Sequence, residues 1–320
     1  MQTLDKDLSQ LLQISSEIRR KNFGNTIKFY APSFLHYKNA YFNVPKNTFP
    51  SISITGTSCT LMCKHCNTQL LKTMIQATTP KKLIDVCRKL SEQGCKGCLI
   101  SGGCLPDGSM PLEKFLEAIT YVKKEYNLTI AVHTGIIGNK VSNRLKEAGV
   151  DSVLIDIIGS NKTIKEIYKL DVTVKNYEAS LKALHDSKNH FIPHIIVGLH
   201  YGKLKGELTA LKMIAKYKPS ALVIIALTPL RNTLMKGVKP PTPKDIAKIL
   251  TTARIMFPDT PIALGCMRPT GKHRFETDKL AIASGVNAIA FPDDNVIKYA
   301  KASGFNIEFL SVCCSQIYEN

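Results

Sequence analysis

The stretch Ile52-Ser53-Ile54-Thr55-Gly56-Thr57-Ser58-Cys59-Thr60-Leu61-Met62-Cys63-Lys64-His65-Cys66 decides how the chain is read. A short apolar run stops at a glycine, and three cysteines follow it with C-x3-C-x2-C spacing. Three thiolates are one short of the set that closes an all-cysteine iron–sulfur or zinc site. A 4Fe-4S cluster held by three protein thiolates keeps one iron open for a ligand that is not protein. The alternative is zinc with His65 as fourth ligand, against which stands the rarity of adjacent residues chelating one tetrahedral ion.

Outward from this stretch the pattern is regular. Eight short apolar runs recur: Ile52–Gly56, Cys98–Gly102, Leu128–His133, Val153–Ile158, His194–Leu199, Ala221–Leu227, Pro261–Gly265 and Asn287–Phe291. Amphipathic helical segments separate them. Thr79-Pro80 and Thr242-Pro243 open helices, Gly94 and Gly149 stop them, and Val296–Ala302 is the last. Alternating strands and helices imply βαβ units and a parallel sheet. Eight repeats predict an α/β fold of the closed (β/α)8 TIM-barrel type, with an open doubly wound sheet as the alternative. The barrel spans residues 51–305. Residues 1–50 form an N-terminal extension with one amphipathic helix (Leu4, Leu8, Leu11, Leu12, Ile18), and 306–320 form a C-terminal tail. In a barrel, chemistry sits at the C-terminal ends of the strands, where the cysteine triplet falls.

At 320 residues with 44% apolar content, the chain has material for a large core. It holds no run of about 18 uncharged apolar residues, so no membrane span is expected, and its polar first residues are unlike a secretory signal. Ten cysteines without export point to a reducing, cytoplasmic setting and metal chemistry rather than disulfides. The formal net charge of +18 suits an acidic partner. Its lysines are scattered without an Arg-rich or basic-aromatic block, which argues against nucleic acid.

The triplet Cys59-x3-Cys63-x2-Cys66 after the first strand resembles that of the radical S-adenosylmethionine (SAM) superfamily. The resemblance implies a 4Fe-4S cluster whose open iron binds SAM, reductive cleavage of SAM, and a 5′-deoxyadenosyl radical that takes hydrogen from an unactivated carbon. His65 then occupies a position that is usually aromatic and lies near the adenine. Ser101-Gly102-Gly103 resembles the Gly-Gly-Glu turn that holds the methionyl group, except that Cys104 stands where the glutamate is expected. Asp156 resembles the carboxylate that bonds the ribose; its alternative is an acid satisfied inside the barrel. Gly198-Leu199-His200-Tyr201-Gly202 resembles the glycine motif beneath the adenine. The histidines His133 and His194 fall within strand runs and read as hydrogen-bonded core residues.

Seven further cysteines remain. Cys87 reads as core, and Cys95 and Cys98 flank the entry to the second run. Cys104, Cys266, Cys313 and Cys314 could converge at the barrel mouth, with the tail folded over it, as ligands of a second, auxiliary iron–sulfur cluster. The alternative is a core Cys266 and a frayed, unliganded tail. Arg268 and Arg274 are alternative ligands, clamps for a carboxylate of cofactor or substrate, or parts of a solvated basic loop.

Over residues 28–317 the resemblance is closest to the biotin-synthase-related branch. Phe49–Gly56, Ile100-Ser-Gly-Gly-Cys104, Leu264-Gly-Cys266-Met-Arg-Pro269 and the terminal Cys-Cys look like archaeal-type homologues that serve as the second subunit of a two-protein lipoyl synthase. That implies radical sulfur insertion into an octanoyl chain on an acidic lipoyl carrier protein domain, with a second radical SAM subunit and an electron donor such as ferredoxin. The competing expectations are another radical reaction (biotin formation, methylthiolation or rearrangement) and a non-catalytic iron–sulfur scaffold subunit.

Overall fold

The computed structural model describes residues 7–34 and 36–319. Its centre is one all-parallel sheet of eleven strands: β1 (Thr26–Tyr30), β2 (Ser51–Ser53), β3 (Ile75–Gln76), β4 (Gly97–Ser101), β5 (Thr129–Thr134), β6 (Ser152–Asp156), β7 (Phe191–Val197), β8 (Leu222–Ala226), β9 (Ile262–Leu264), β10 (Ala288–Ala290) and β11 (Asn306–Leu310). All eight runs expected from the sequence are strands, β2 and β4 to β10. They are legible because parallel strands covered by helices bury both faces and need no polar alternation. Phe191–Val197 is buried at every position.

Strand order is β11-β1-β10-β9-β8-β7-β6-β5-β4-β2-β3. The sheet therefore curls without closing: β2 pairs with β3 and β4, and β10 pairs with β9 and β1. The α/β barrel expected from the sequence is present, as a curled parallel sheet whose two ends do not pair. The extension and the tail are not appendages, since each contributes a strand at the same edge, in register from Thr26↔Asn306 to Tyr30↔Leu310. The tail thus opens with a strand, and Cys313 and Cys314 follow it. The N-terminal helix runs Leu8–Phe23, and Leu4 lies outside the described residues.

The helices begin where side chains satisfy their free N–H groups. Thr79 accepts from Lys82 N with Pro80 in the first turn, and Thr242 shares a reciprocal cap with Asp245. The outer core lies between helices and sheet. A second apolar cluster lies on the inner face, where Ala131, Ala221, Ala263, Ala288 and Ala290 leave room for Cys313, Cys314 and Ile317.

After β11 the tail therefore passes down the inside of the curled sheet and not over its mouth. Gln316 Nε2 donates to Ser152 Oγ at 2.8 Å, Tyr318 OH donates to Asp151 O, and Tyr318 stacks on His190. Asp151, Ser152 and His190 all stand at strand beginnings, the end of the sheet opposite the cysteine triplet.

Candidate functional site

The strands' C-terminal ends surround a cavity of about 350 Å³. The loop after β2 brings Cys59, Cys63, His65 and Cys66 to one wall, beside Ser101, Gly102, Gly103 and Cys104 from β4. Gly103 has to be glycine for reasons of space. A Cβ there would fall 2.0 Å from Ser58 O and 2.5 Å from Cys59 Cβ, so the two loops are in backbone contact. Gly103 N donates to Thr55 Oγ1 at 2.7 Å, which ties the same two loops from the other side.

The four thiols of this wall form two pairs. Cys59 Sγ accepts from Cys104 N at 3.3 Å and from the Cys104 thiol, and these bonds lower the Cys59 pKa to about 5. The shared proton raises Cys104 correspondingly. Cys63 and Cys66 share a second proton, with Cys63 raised and Cys66 lowered. Donor atoms of Cys63, His65 and Cys66 lie within 4.8 Å of one another, so adjacency does not keep the His65 ring away from its neighbours. Burial lowers the His65 pKa to about 4, and its Nδ1 is buried without a partner 5.2 Å (ring to ring) from Tyr168.

Across the cavity are β5, β6 and β7. His133 Nε2 lies 3.6 Å from Asp156 Oδ1, and the His133 and His194 rings are 5.7 Å apart. Burial opposes charge on His133, but the Asp156 carboxylate outweighs it and raises the pKa. Burial likewise opposes the Asp156 charge, and the same partner outweighs it, leaving the pKa lowered. His194 differs. Its Nδ1 bonds Ile192 O at 3.1 Å, and burial next to His133 lowers its pKa to about 4. His194 is hydrogen-bonded as expected, His133 is instead paired with Asp156, and both line the cavity. Their joint position with Asp156 was missed; the only signal in the sequence was three polar residues near the ends of successive strands.

Cys266, Cys313 and Cys314 line the same cavity. Burial raises Cys266 to about 11, and the Cys314 thiol lowers Cys313 to about 7. Cys104 is not in their company, because its thiol is committed to Cys59. The expected set of four C-terminal-side thiols is thus a set of three.

Two further expectations are corrected. Arg268 is neither cofactor clamp nor cluster ligand here. It is buried, Nε and Nη2 reach the two Asp278 oxygens at 2.5 and 2.8 Å, and Nη1 reaches Gly265 O at 2.8 Å. Those bonds use the planar fork of the guanidinium structurally. Arg274 braces it, donating to Arg268 O at 3.2 Å, so neither belongs to a solvated loop. Gly198 is absent from the cavity lining: its N–H donates to buried Glu207 at 2.8 Å, and a Cβ would meet Pro241 at 2.7 Å.

The donor set fits a three-thiolate cluster. Cys59, Cys63 and Cys66 face one cavity, a glycine backbone lies against them, and a buried imidazole nitrogen is left without a protein partner. Among the described residues no helix is long and apolar enough to cross a membrane.

Residues 53–204 match the family model of the radical SAM superfamily. A biotin synthase from Rhodopirellula baltica is 22% identical over 298 residues, covering 89% of this chain and 75% of that protein. Among solved structures, methylornithine synthase (PylB) superposes with a TM-score of 0.62 at 15% identity, covering 94% of this chain and 89% of that one. HydG, a maturase of the FeFe-hydrogenase, gives 0.69 at 14% identity, covering 99% and 72%. The two structural likenesses establish the fold.

Proposed function

The chain belongs to the radical SAM superfamily, in its biotin-synthase-related branch, and on that premise we propose that it inserts sulfur into an unactivated C–H bond of an octanoyl chain carried by a lipoyl domain. One observation supports this most: two thiol groups share a single apolar cavity, Cys59, Cys63 and Cys66 on one wall and Cys266, Cys313 and Cys314 on another. Sulfur transfer needs that pairing, because the carbon activated at one site must meet sulfur held at the other.

Cys59, Cys63 and Cys66 would hold a 4Fe-4S cluster, and SAM bound there supplies homolytic chemistry, removal of a hydrogen atom from carbon. The protein's part is placement. The Ser101-Gly102-Gly103 backbone, pressed against the cysteine loop, receives the methionyl end of SAM. Asp156, kept ionised by His133, accepts from the ribose hydroxyls. His65 is neutral at pH 7 and packs as a flat uncharged ring. Ile136, Leu154, Ile196, Val223 and Ile225 line the space between the thiol groups with hydrocarbon. They take an alkyl chain and exclude the water that would quench a radical. Cys266, Cys313 and Cys314 would hold an auxiliary iron–sulfur cluster as sulfur donor.

Anaerobic reconstitution with an octanoyl-lysine peptide, with and without a related radical SAM subunit and with a reduced ferredoxin, tests the reading. Mass spectrometry is expected to find 5′-deoxyadenosine and a peptide heavier by sulfur. Deoxyadenosine with an unchanged peptide rejects the lipoyl assignment and leaves the broader class. No deoxyadenosine at all rejects catalysis and favours a scaffold role.

A further inference from the structure

The loops after β2 and β8 border the cavity, and the loop after β7 packs against both of them. Lys64 Nζ donates to Tyr201 OH at 2.8 Å, joining the first loop to the second. Asn67 Nδ2 donates to Asn232 O at 3.1 Å, joining the first to the third. At Gly202 a Cβ would fall 1.9 Å from Lys239 O, so the second and third are in backbone contact. The three loops make one continuous rim.

Its composition is one-sided. No Asp or Glu occurs at positions 18–84, 187–206 or 208–244, which include all three loops. Their cations Lys72, Lys203, Lys205, Arg231, Lys236 and Lys239 are all exposed. Between them stand large apolar side chains open to solvent: Leu70 at 39%, Leu204 at 36% and Leu234 at 73%. Leu234 is the most exposed large apolar side chain described. Three such leucines on loops that touch one another, rather than scattered singly, fit a surface that a partner covers. Basic residues around exposed aliphatic ones, at the entrance of a hydrocarbon-lined cavity, match an acidic protein that delivers an aliphatic arm.

We propose that this rim is the docking surface for an acidic carrier domain, with Leu234 packing on the domain beside the tethered chain and the six cations facing its carboxylates. The proposal rests on the reading above and adds to it the surface by which the substrate is recognised. Attraction brings the domain to the mouth quickly, while the arm, reaching past the rim, carries the carbon to be modified inward.

The test separates docking from chemistry. Two rim variants, K203E/K205E/R231E/K236E and Leu234→Asp, are compared with K146E/K188E, whose exposed lysines stand in the helix Asn139–Glu147 and in the turn before β7, outside the three loops. Binding of the unacylated carrier domain is measured by calorimetry at low and high salt, and turnover is measured on both the acylated domain and a short octanoyl-lysine peptide. The rim variants are expected to raise the domain's Kd at least tenfold and flatten its salt dependence, while peptide turnover stays within about twofold. Equal Kd values for wild type and rim variants overturn the docking surface, as does an equal loss in K146E/K188E, which would reduce the effect to net charge. Failure of the wild type on the peptide rejects the sulfur-insertion reading, and the binding data still decide the rim.

Discussion

At the residue scale the site is organised by which thiol pairs with which. Cys59 receives two bonds from Cys104, one from its amide and one from its thiol, and is a thiolate near neutral pH. In metal-free protein at pH 6.5, iodoacetamide is expected to label Cys59 ahead of the other nine cysteines, because the thiolate is the nucleophile. Peptide mapping checks this, and first labelling at Cys63 would contradict the pairing. That partnership was illegible in the sequence: the departure at Cys104 was visible, but spacing alone could not say which cysteine it faces. Arg268 was misread for a similar reason. Its partner Asp278 lies ten positions later on the following helix (Lys272–Ala283), and only the packing of that helix reveals that its fork is fully used.

His194 gives a pH dependence with a definite sign. Its pKa in the folded protein is about 4, below the ordinary 6.5. Between those values the unfolded chain binds the proton and the folded one does not, so stability falls as pH drops from 6.5 towards 4. At pH 5 the cost from this group is about 2 kcal/mol, by 1.36 kcal/mol per pH unit. Urea midpoints at pH 7 and pH 5 are expected to differ less in His194→Gln than in the wild type. An unchanged difference would mean the ring is already charged when folded.

At the element scale, the strands were legible and the edges were not. β2 and β4 to β10 announce themselves as apolar runs because helices cover them. β1 lies in a stretch dominated by aromatic and proline signals, and β11 (Asn306–Leu310) has exposed and half-buried residues along its length, as an edge strand does. β3 has two residues, too few for any periodicity. The contact of the Gly103 loop on the Cys59 loop makes its own prediction. Gly103→Ala forces apart two backbones that stand too close for a methyl group. The variant is expected to keep its far-ultraviolet circular dichroism while retaining less than half of the iron bound through Cys59, Cys63 and Cys66. Full iron in Gly103→Ala would show that the loops do not need this contact.

At the scale of the whole molecule, the curled sheet brings the two thiol groups to one chamber, and the tail makes this possible by running inside it. Cys313→Ser/Cys314→Ser is expected to lower reconstituted iron by about four atoms per chain, the content of one cube, and to leave deoxyadenosine formation intact. Cys104→Ser is expected to leave the total unchanged. Iron and sulfide assays on the two variants distinguish these outcomes, and a loss of iron in Cys104→Ser would return that residue to the C-terminal set.

The internal course of residues 313–318 also constrains the order of events during synthesis. Every strand of the sheet leaves the ribosome before the segment that fills its hollow face. A chain lacking residues 311–320 therefore has its framework but an empty middle, with Ala131, Ala221, Ala263 and Ala288 wet. Consolidation then follows the sheet, and protease sensitivity should persist until residues 313–318 have been made and docked.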